Sequence, residues 1–167
     1  TIMAWGLNSN GQLGNGSGTN SNIPVSISSL TGITSIAGGG THSFALKNDS
    51  TVWAWGWNGD GQLGNGTNTN SNVPVPVSFI TGVTAIAGRS THSLAMKSDG
   101  TVWAWGSNTS GQLGNGTKTD SNIPVPVNSL SGIISISSGG SHSLALKTDG
   151  TVWAWGYNLS GQLGNGT

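Results

Sequence analysis

The sequence predicts an all-β fold, a β-propeller built from four-stranded antiparallel blades, and three observations predict it. A 50-residue unit recurs without gaps, each unit holds four short strand patterns with no helical period, and one of the four carries prolines that confine it to a sheet edge. T-V-W-A-W-G stands at Thr51, Thr101 and Thr151, with T-I-M-A-W-G at Thr1, and G-Q-L-G-N-G follows at Gly11, Gly61, Gly111 and Gly161. Successive full units are identical at 30 of 50 positions. The 167 residues form a single propeller segment, about three and a third units long: 1–50, 51–100, 101–150 and a partial 151–167.

The second unit shows the elements in order. Val83-Thr-Ala-Ile-Ala-Gly88 alternates in the β manner, as do Ser93-Leu-Ala-Met-Lys97 and Thr101-Val-Trp-Ala-Trp105. Asp99-Gly100 suits a two-residue type I′ turn. Counting from that turn pairs Met96 with Trp103 and Leu94 with Trp105, and in the first unit it sets Phe44 and Leu46 opposite Trp55 and Trp53. One face of the sheet is then bulky and the other small, a shape that stacks on copies of itself around an axis. Pro74, Pro76, Pro124 and Pro126 lack the N–H that an inner strand gives its neighbours, so their strand is the outer edge. The Gly- and Ala-rich strand lies innermost, and a blade runs over 83–88, 92–97, 101–106 and 123–127, across a unit boundary.

Composition narrows function. Gly, Ser, Thr and Asn fill more than half the chain, yet eight Trp and a 34% apolar fraction supply a core, unlike a disordered segment. Five basic residues cannot build the stripe that phosphate recognition needs, so no nucleic-acid partner is expected. No apolar run approaches the length of a membrane span, so no membrane insertion is expected either. Zero Cys removes thiol chemistry and disulfides without deciding a compartment. The start at Thr1 points to a processed, trimmed or excerpted chain.

A-G-G-G-T-H-S-F-A-L-K, then D-G-T-V-W-A-W-G, then N-x-x-G-Q-L-G together resemble the regulator of chromosome condensation (RCC1) repeat, in every copy and over the whole chain. The resemblance implies a propeller, usually of seven blades, whose members include a guanine-nucleotide exchange factor that docks on chromatin, secreted bacterial proteins and plain binding domains. The low charge and near-identical units look more like the bacterial extracellular members, and the exchange-factor reading ranks below binding and scaffold roles.

Motifs that resemble chemical sites have structural explanations. G-Q-L-G-N-G precedes Pro-rich strands rather than a helix, so it is no phosphate cradle; its glycines make turns while Leu13, Leu63, Leu113 and Leu163 plug the gaps between blades. His42, His92 and His142 recur once per unit and are expected to hydrogen-bond a neighbouring blade's backbone. Asp49, Asp99 and Asp149 serve the hairpin turns, which leaves Asp60 and Asp120, and nothing in the sequence marks these as a catalytic pair. Asn58-Gly-Asp60-Gly resembles a calcium loop in one copy only. No catalytic residue, cofactor or metal is expected, and the protein is read as a non-enzyme. Sequons at Asn15, Asn48, Asn65, Asn108, Asn115, Asn158 and Asn165 are open to glycosylation.

Positions that vary between copies are the candidate partner-binding residues, because the fold does not dictate them: Leu7, Trp57, Tyr157, Leu159, Phe79 and Arg89, with Lys118 as a further non-repeating side chain. The segment holds a third and fourth strand, two whole blades and three inner strands, so it needs completion by self-association or by further chain. The expected function is an extracellular or cell-surface bacterial scaffold, structural or adhesive, that assembles into a ring or head-to-tail filament through its incomplete blades. The alternative is a secreted protein-binding or inhibitory module that uses its loop aromatics.

Overall fold

A computed structural model describes residues 1–27 and 29–166, and among them there is no helix. Thirteen strands among the described residues form four antiparallel sheets. The first sheet holds only β1 (Ile2–Gly6) and β2 (Ser21–Ile27). Two complete blades follow: β3 (Ile33–Gly38), β4 (His42–Lys47), β5 (Val52–Gly56) and β6 (Ser71–Pro76), then β7 (Val83–Arg89), β8 (His92–Lys97), β9 (Val102–Gly106) and β10 (Ser121–Pro126). The last sheet holds β11 (Ile133–Ser138), β12 (His142–Lys147) and β13 (Val152–Gly156). Strand order, edge assignment and the crossing of unit boundaries follow the sequence expectation.

The prolines occupy the positions expected of an edge strand. Pro76 lies opposite Trp53 and Pro126 opposite Trp103, while Val77 and Val127 donate their N–H groups to Val52 and Val102 at 2.9 Å. Alternate residues bond inward, so the proline nitrogens fall on the outward-facing positions where no N–H is required.

The register differs from the expected one by a residue. Ala95 pairs with Trp103, Ser93 with Trp105, Leu94 with Ala104 and Met96 with Val102. In the first blade Phe44 meets Ala54 and Leu46 meets Val52, not Trp55 and Trp53. The cause is the turn, which has three residues instead of two. Lys97 N–H reaches Thr101 O at 2.9 Å, Gly100 N–H returns to Lys97 O at 3.0 Å, and only Gly100, at φ 73°, is left-handed. This is a type I turn closed by a left-handed residue. Asp99 does not occupy a positive-φ corner; its carboxylate accepts from the Thr101 amide at 3.0 Å and hydroxyl at 2.6 Å. A one-residue slip exchanges the two faces of a strand, so the bulky-versus-small division of the sheet does not hold.

Each blade instead has an aliphatic face directed forward and a Trp- and Ala-bearing face directed back. Phe44, Leu46, Val52 and Ala54 of one blade pack with Ala95 and Trp105 of the next, around Leu63. Leu94, Val102 and Ala104 pack in turn with Ala145 and Trp155, around Leu113. The leucines of the Gly-rich loops plug these interfaces, as expected from the sequence.

In the first unit Ser50 takes the left-handed position of the turn at φ 64°, where the later units have Gly100 and Gly150. A side chain there is disfavoured by about 1–2 kcal/mol, partly offset by the entropy a glycine loses on folding. Ser50→Gly is expected to raise stability by about 1 kcal/mol, measured as a higher denaturant midpoint with an unchanged m-value.

Candidate functional site

The chemistry-bearing side chains of the repeat converge between blades. Gln62 lies in the loop after β5, and its backbone carbonyl accepts from the Trp105 indole N–H and from the Ser93 hydroxyl of the next blade, each at 2.8 Å. His42 Nε2 lies 3.3 Å from the same Ser93 hydroxyl. The next interface repeats the set: Trp155 and Ser143 donate to Gln112 O at 2.9 Å, and His92 Nε2 is 2.9 Å from Ser143 Oγ. Each Ser hydrogen is committed to a carbonyl, so the Ser oxygen accepts and the histidine is assigned as the Nε2–H tautomer. The histidines do bond a neighbouring blade, through a serine hydroxyl rather than directly to backbone.

The Gly-rich loop is shaped to carry that carbonyl. Asn58 lies fully buried behind it, donating through Nδ2 to Thr67 O and Thr69 O while its Oδ1 accepts from Leu63 N–H at 2.9 Å. Gly64 sits beneath the Trp105 indole, where a Cβ would come within 2.7 Å of the ring nitrogen, so no other residue fits. The calcium-loop resemblance is thereby accounted for, since Asn58 organises the loop itself. Among the described residues no three His, Cys, Asp or Glu side chains gather to hold a metal ion.

One acid here feels the charge of another that the sequence does not pair with it. Burial, and next the charge of Asp120, push the Asp60 carboxyl above its ordinary value. Asp120 stands where the other units have Asn20 and Asn70, and it does their work, accepting from the Asn108 amide at 2.6 Å. The sequon at Asn108 is fully buried and so closed to a glycan in the folded chain.

The candidate partner-binding residues divide between two rims. Leu7, Trp57, Tyr157 and Leu159 follow third strands, and Arg89 ends a first strand; antiparallel pairing puts all of these at one rim. Leu159 is 86% exposed, while Tyr157 is only half-buried. Phe79, 82% exposed at φ 56°, lies between β6 and β7 and so at the opposite rim. Lys118 is exposed in the loop leading to β10. Trp57 lies across Gly59, where a Cβ would meet the indole at 2.3 Å. Ser9, Thr109 and Leu159 fill the equivalent position, so the Trp57–Gly59 pair is a coordinated departure from the repeat. Sequence reasoning found Trp57 but not its dependence on Gly59.

The sequence read the two end blades as incomplete, and the structure shows which side chains this leaves uncovered. Val52 and Val102 are 1% exposed and Val152 is 67% exposed, and Ile36 reaches 63% at the other end. The Phe44 ring rests on Gly88, whereas the equivalent Gly38 faces open space.

Comparison with known proteins bears on these observations. The family model described as the regulator of chromosome condensation (RCC1) repeat matches residues 2–46, 49–96 and 99–146, and a second model of the same description matches 33–62, 83–112 and 133–162. Among curated proteins no sequence matches significantly. Of solved structures, human WBSCR16 is similar with a TM-score of 0.82 at 27% identity, over 93% of this chain and 42% of that one. Prp20p of Saccharomyces cerevisiae, described with its binding to Gsp1p and histones, gives 0.85 at 24% over 99% of this chain and 43% of its own. Yeast RCC1 (Prp20) bound by Kap60 gives 0.78 at 24%, covering 93% and 39%. The chain thus spans less than half the length of these structures.

The buried histidines give the blade interfaces an acid limit. Burial, and then the charge of His92, bring His42 down to about 3; burial, and then His142, bring His92 down to about 4. In the unfolded chain both titrate near 6.5. Below that value the unfolded state binds protons that the folded state refuses, so the stabilisation is complete above about pH 6.5 and declines as pH falls toward 4. The slope is about 1.4 kcal/mol per pH unit for each histidine. Thermal unfolding is expected to be flat above pH 7 and to fall steeply through pH 6 to 4, with the fall reduced in a His42→Gln/His92→Gln chain.

Proposed function

The chain belongs to the regulator of chromosome condensation (RCC1) repeat family, and from that premise we propose that it is a non-enzymatic propeller scaffold that associates with copies of itself through its incomplete blades. The observation that carries the proposal is the pair of uncovered blade faces. Met3, Trp5 and Ile36 are exposed at one end and Val152 and Trp153 at the other, all at positions whose counterparts pack into blade contacts in the middle of the chain. Large contiguous apolar surface of this kind marks an association site. Its polar core groups support a binding role over a catalytic one, because the buried Ser, Gln carbonyl and His groups are spent on joining blades. Low charge and near-identical units support a place outside a bacterial cell or at its surface, as a structural or adhesive element.

A second role is favoured by the Trp57–Gly59 pair. An indole lying against a glycine offers an aromatic anchor for a protein partner, and the related Prp20p is described as binding proteins.

Two measurements test these proposals. Light scattering across a dilution series is expected to give masses at multiples of 16.8 kDa, and a monomer at every concentration contradicts self-association. Partner capture from the native source is expected to drop at least tenfold in Trp57→Ser/Tyr157→Ser; unchanged capture removes the aromatic role.

A further inference from the structure

One place beside the outer edge strands is built twice and filled once. Between the loop after β1 and the start of β6 lies an open cleft of about 400 Å³ whose walls carry only Ser, Asn and Gly, with Ser9, Asn10 and Gly18 on one side and Asn70 and Asn72 on the other. Fifty residues on, the same segments meet between two whole blades, and Gly61 packs on Asn122 as Gly11 packs on Asn72. There the position of Gly18 is held by Asn68, whose amide spans both walls: Nδ2 donates to Gly59 O and Oδ1 accepts from Asn122 Nδ2, each at 3.0 Å. Asn68 is nonetheless exposed. The place is open to solvent even where complete blades flank it, so its openness comes from the repeat itself.

In the first copy nothing stands in for that amide. Gly18 has no side chain, and Ser9 O, the counterpart of Gly59 O, meets no donor among the described residues. Asn72 turns its Nδ2 to Gly16 O at 2.9 Å, and Asn70 uses only its Oδ1, which accepts from the Asn58 N–H at 2.8 Å. The Asn10 side chain has no partner among the described residues. Donors and acceptors thus line one cleft with capacity unspent. No charged side chain lines it, so an anion or a metal ion finds no counter-charge there. No apolar side chain lines it either, so an apolar ligand gains little. What suits the cleft is a neutral group that donates and accepts side by side, as the Asn68 amide does, repeated over a larger body. A sugar ring has this property, because each of its hydroxyls both donates and accepts. We propose that the cleft between Gly18 and Asn72 binds a neutral saccharide, whose hydroxyls take the place that the Asn68 amide fills one unit later. Ser9 O, the Asn10 amide and Asn70 Nδ2 each gain a partner in the complex. Water serves these groups in the free protein, so each new bond gains little and the dissociation constant is about 0.1–1 mM. The site depends neither on self-association nor on Trp57.

The repeat supplies its own control. Gly18→Asn copies the second unit, Gly18 is not left-handed, and a Cβ there meets only Asn8 O at 3.9 Å, so the fold accepts the change. The full chain is titrated with neutral oligosaccharides of glucose, galactose, mannose and N-acetylglucosamine, and separately with an uncharged asparagine-containing peptide, while backbone amide NMR shifts are followed. At least one saccharide is expected to move the Gly18, Asn70 and Asn72 amides saturably. Gly18→Asn is expected to weaken that binding by about tenfold or more at an unchanged melting temperature. Asn10→Ala, which removes a side chain the fold does not use, is expected to weaken it about fivefold. No shift with any of the saccharides overturns the site, as does a response to the peptide alone or saccharide binding that Gly18→Asn leaves intact. If Gly18→Asn lowers the melting temperature, Asn10→Ala decides, and an unchanged dissociation constant there overturns the site.

Discussion

The constraint on which the rest of the structure depends is a backbone carbonyl buried between two sheets. A carbonyl taken out of water must find donors, and the Gln62 carbonyl finds two, an indole N–H and a hydroxyl, both from the following blade. The features of the repeat arrange that meeting. Asn58 holds the loop so that the carbonyl projects, Gly64 lets Trp105 close on it, and Leu63 fills the apolar space beside it. His42 then binds the oxygen of the serine that has given its hydrogen away. Blade stacking is therefore specified by polar groups as much as by the aliphatic core, because sheets sliding past each other would strand a carbonyl, a hydroxyl and an imidazole at once.

Much of the fold was legible because the repeat writes its local rules three times over. Pro76 and Pro126 told which strand lies outermost, since a missing N–H has only one tolerable place in a sheet, and the loop leucines declared their interface role by periodicity. The register was not legible. Asp99-Gly100 is compatible with a two-residue or a three-residue turn, and the difference reverses which side chains face each neighbour. The choice is made by tertiary packing, which needs Trp105 on the backward face to reach the Gln62 carbonyl 43 residues earlier in the chain.

The site was legible in a similar, partial way. The recurrence of His42 and His92 showed that they serve the fold, but their serine partners lie 51 residues away, and no local pattern links a residue to its counterpart one blade on. Trp57 stood out as a departure from the repeat, whereas its contact with Gly59, two residues on, is visible only in the fold. Asp120, an acid among amides that nothing in the sequence marked for catalysis, accepts the same backbone bond as Asn20 and Asn70. Variation between copies points to function only where the varied side chain is not performing the repeat's own task.

The unequal cover of equivalent valines has a consequence for motion. Val52 and Val102 are covered by a following blade and Val152 is not, so the chain behaves as a one-dimensional array in which each blade is stabilised by its neighbours. Opening then costs one interface at an end and two in the middle. Amide hydrogen exchange within a single copy should accordingly be graded along the sequence, slowest in β7, β8 and β9 and quickest in the terminal sheets, with local opening free energies set by distance from an end rather than by strand composition. Nearly identical amino-acid strings would thus exchange at quite different rates, and closing the ring would erase the gradient.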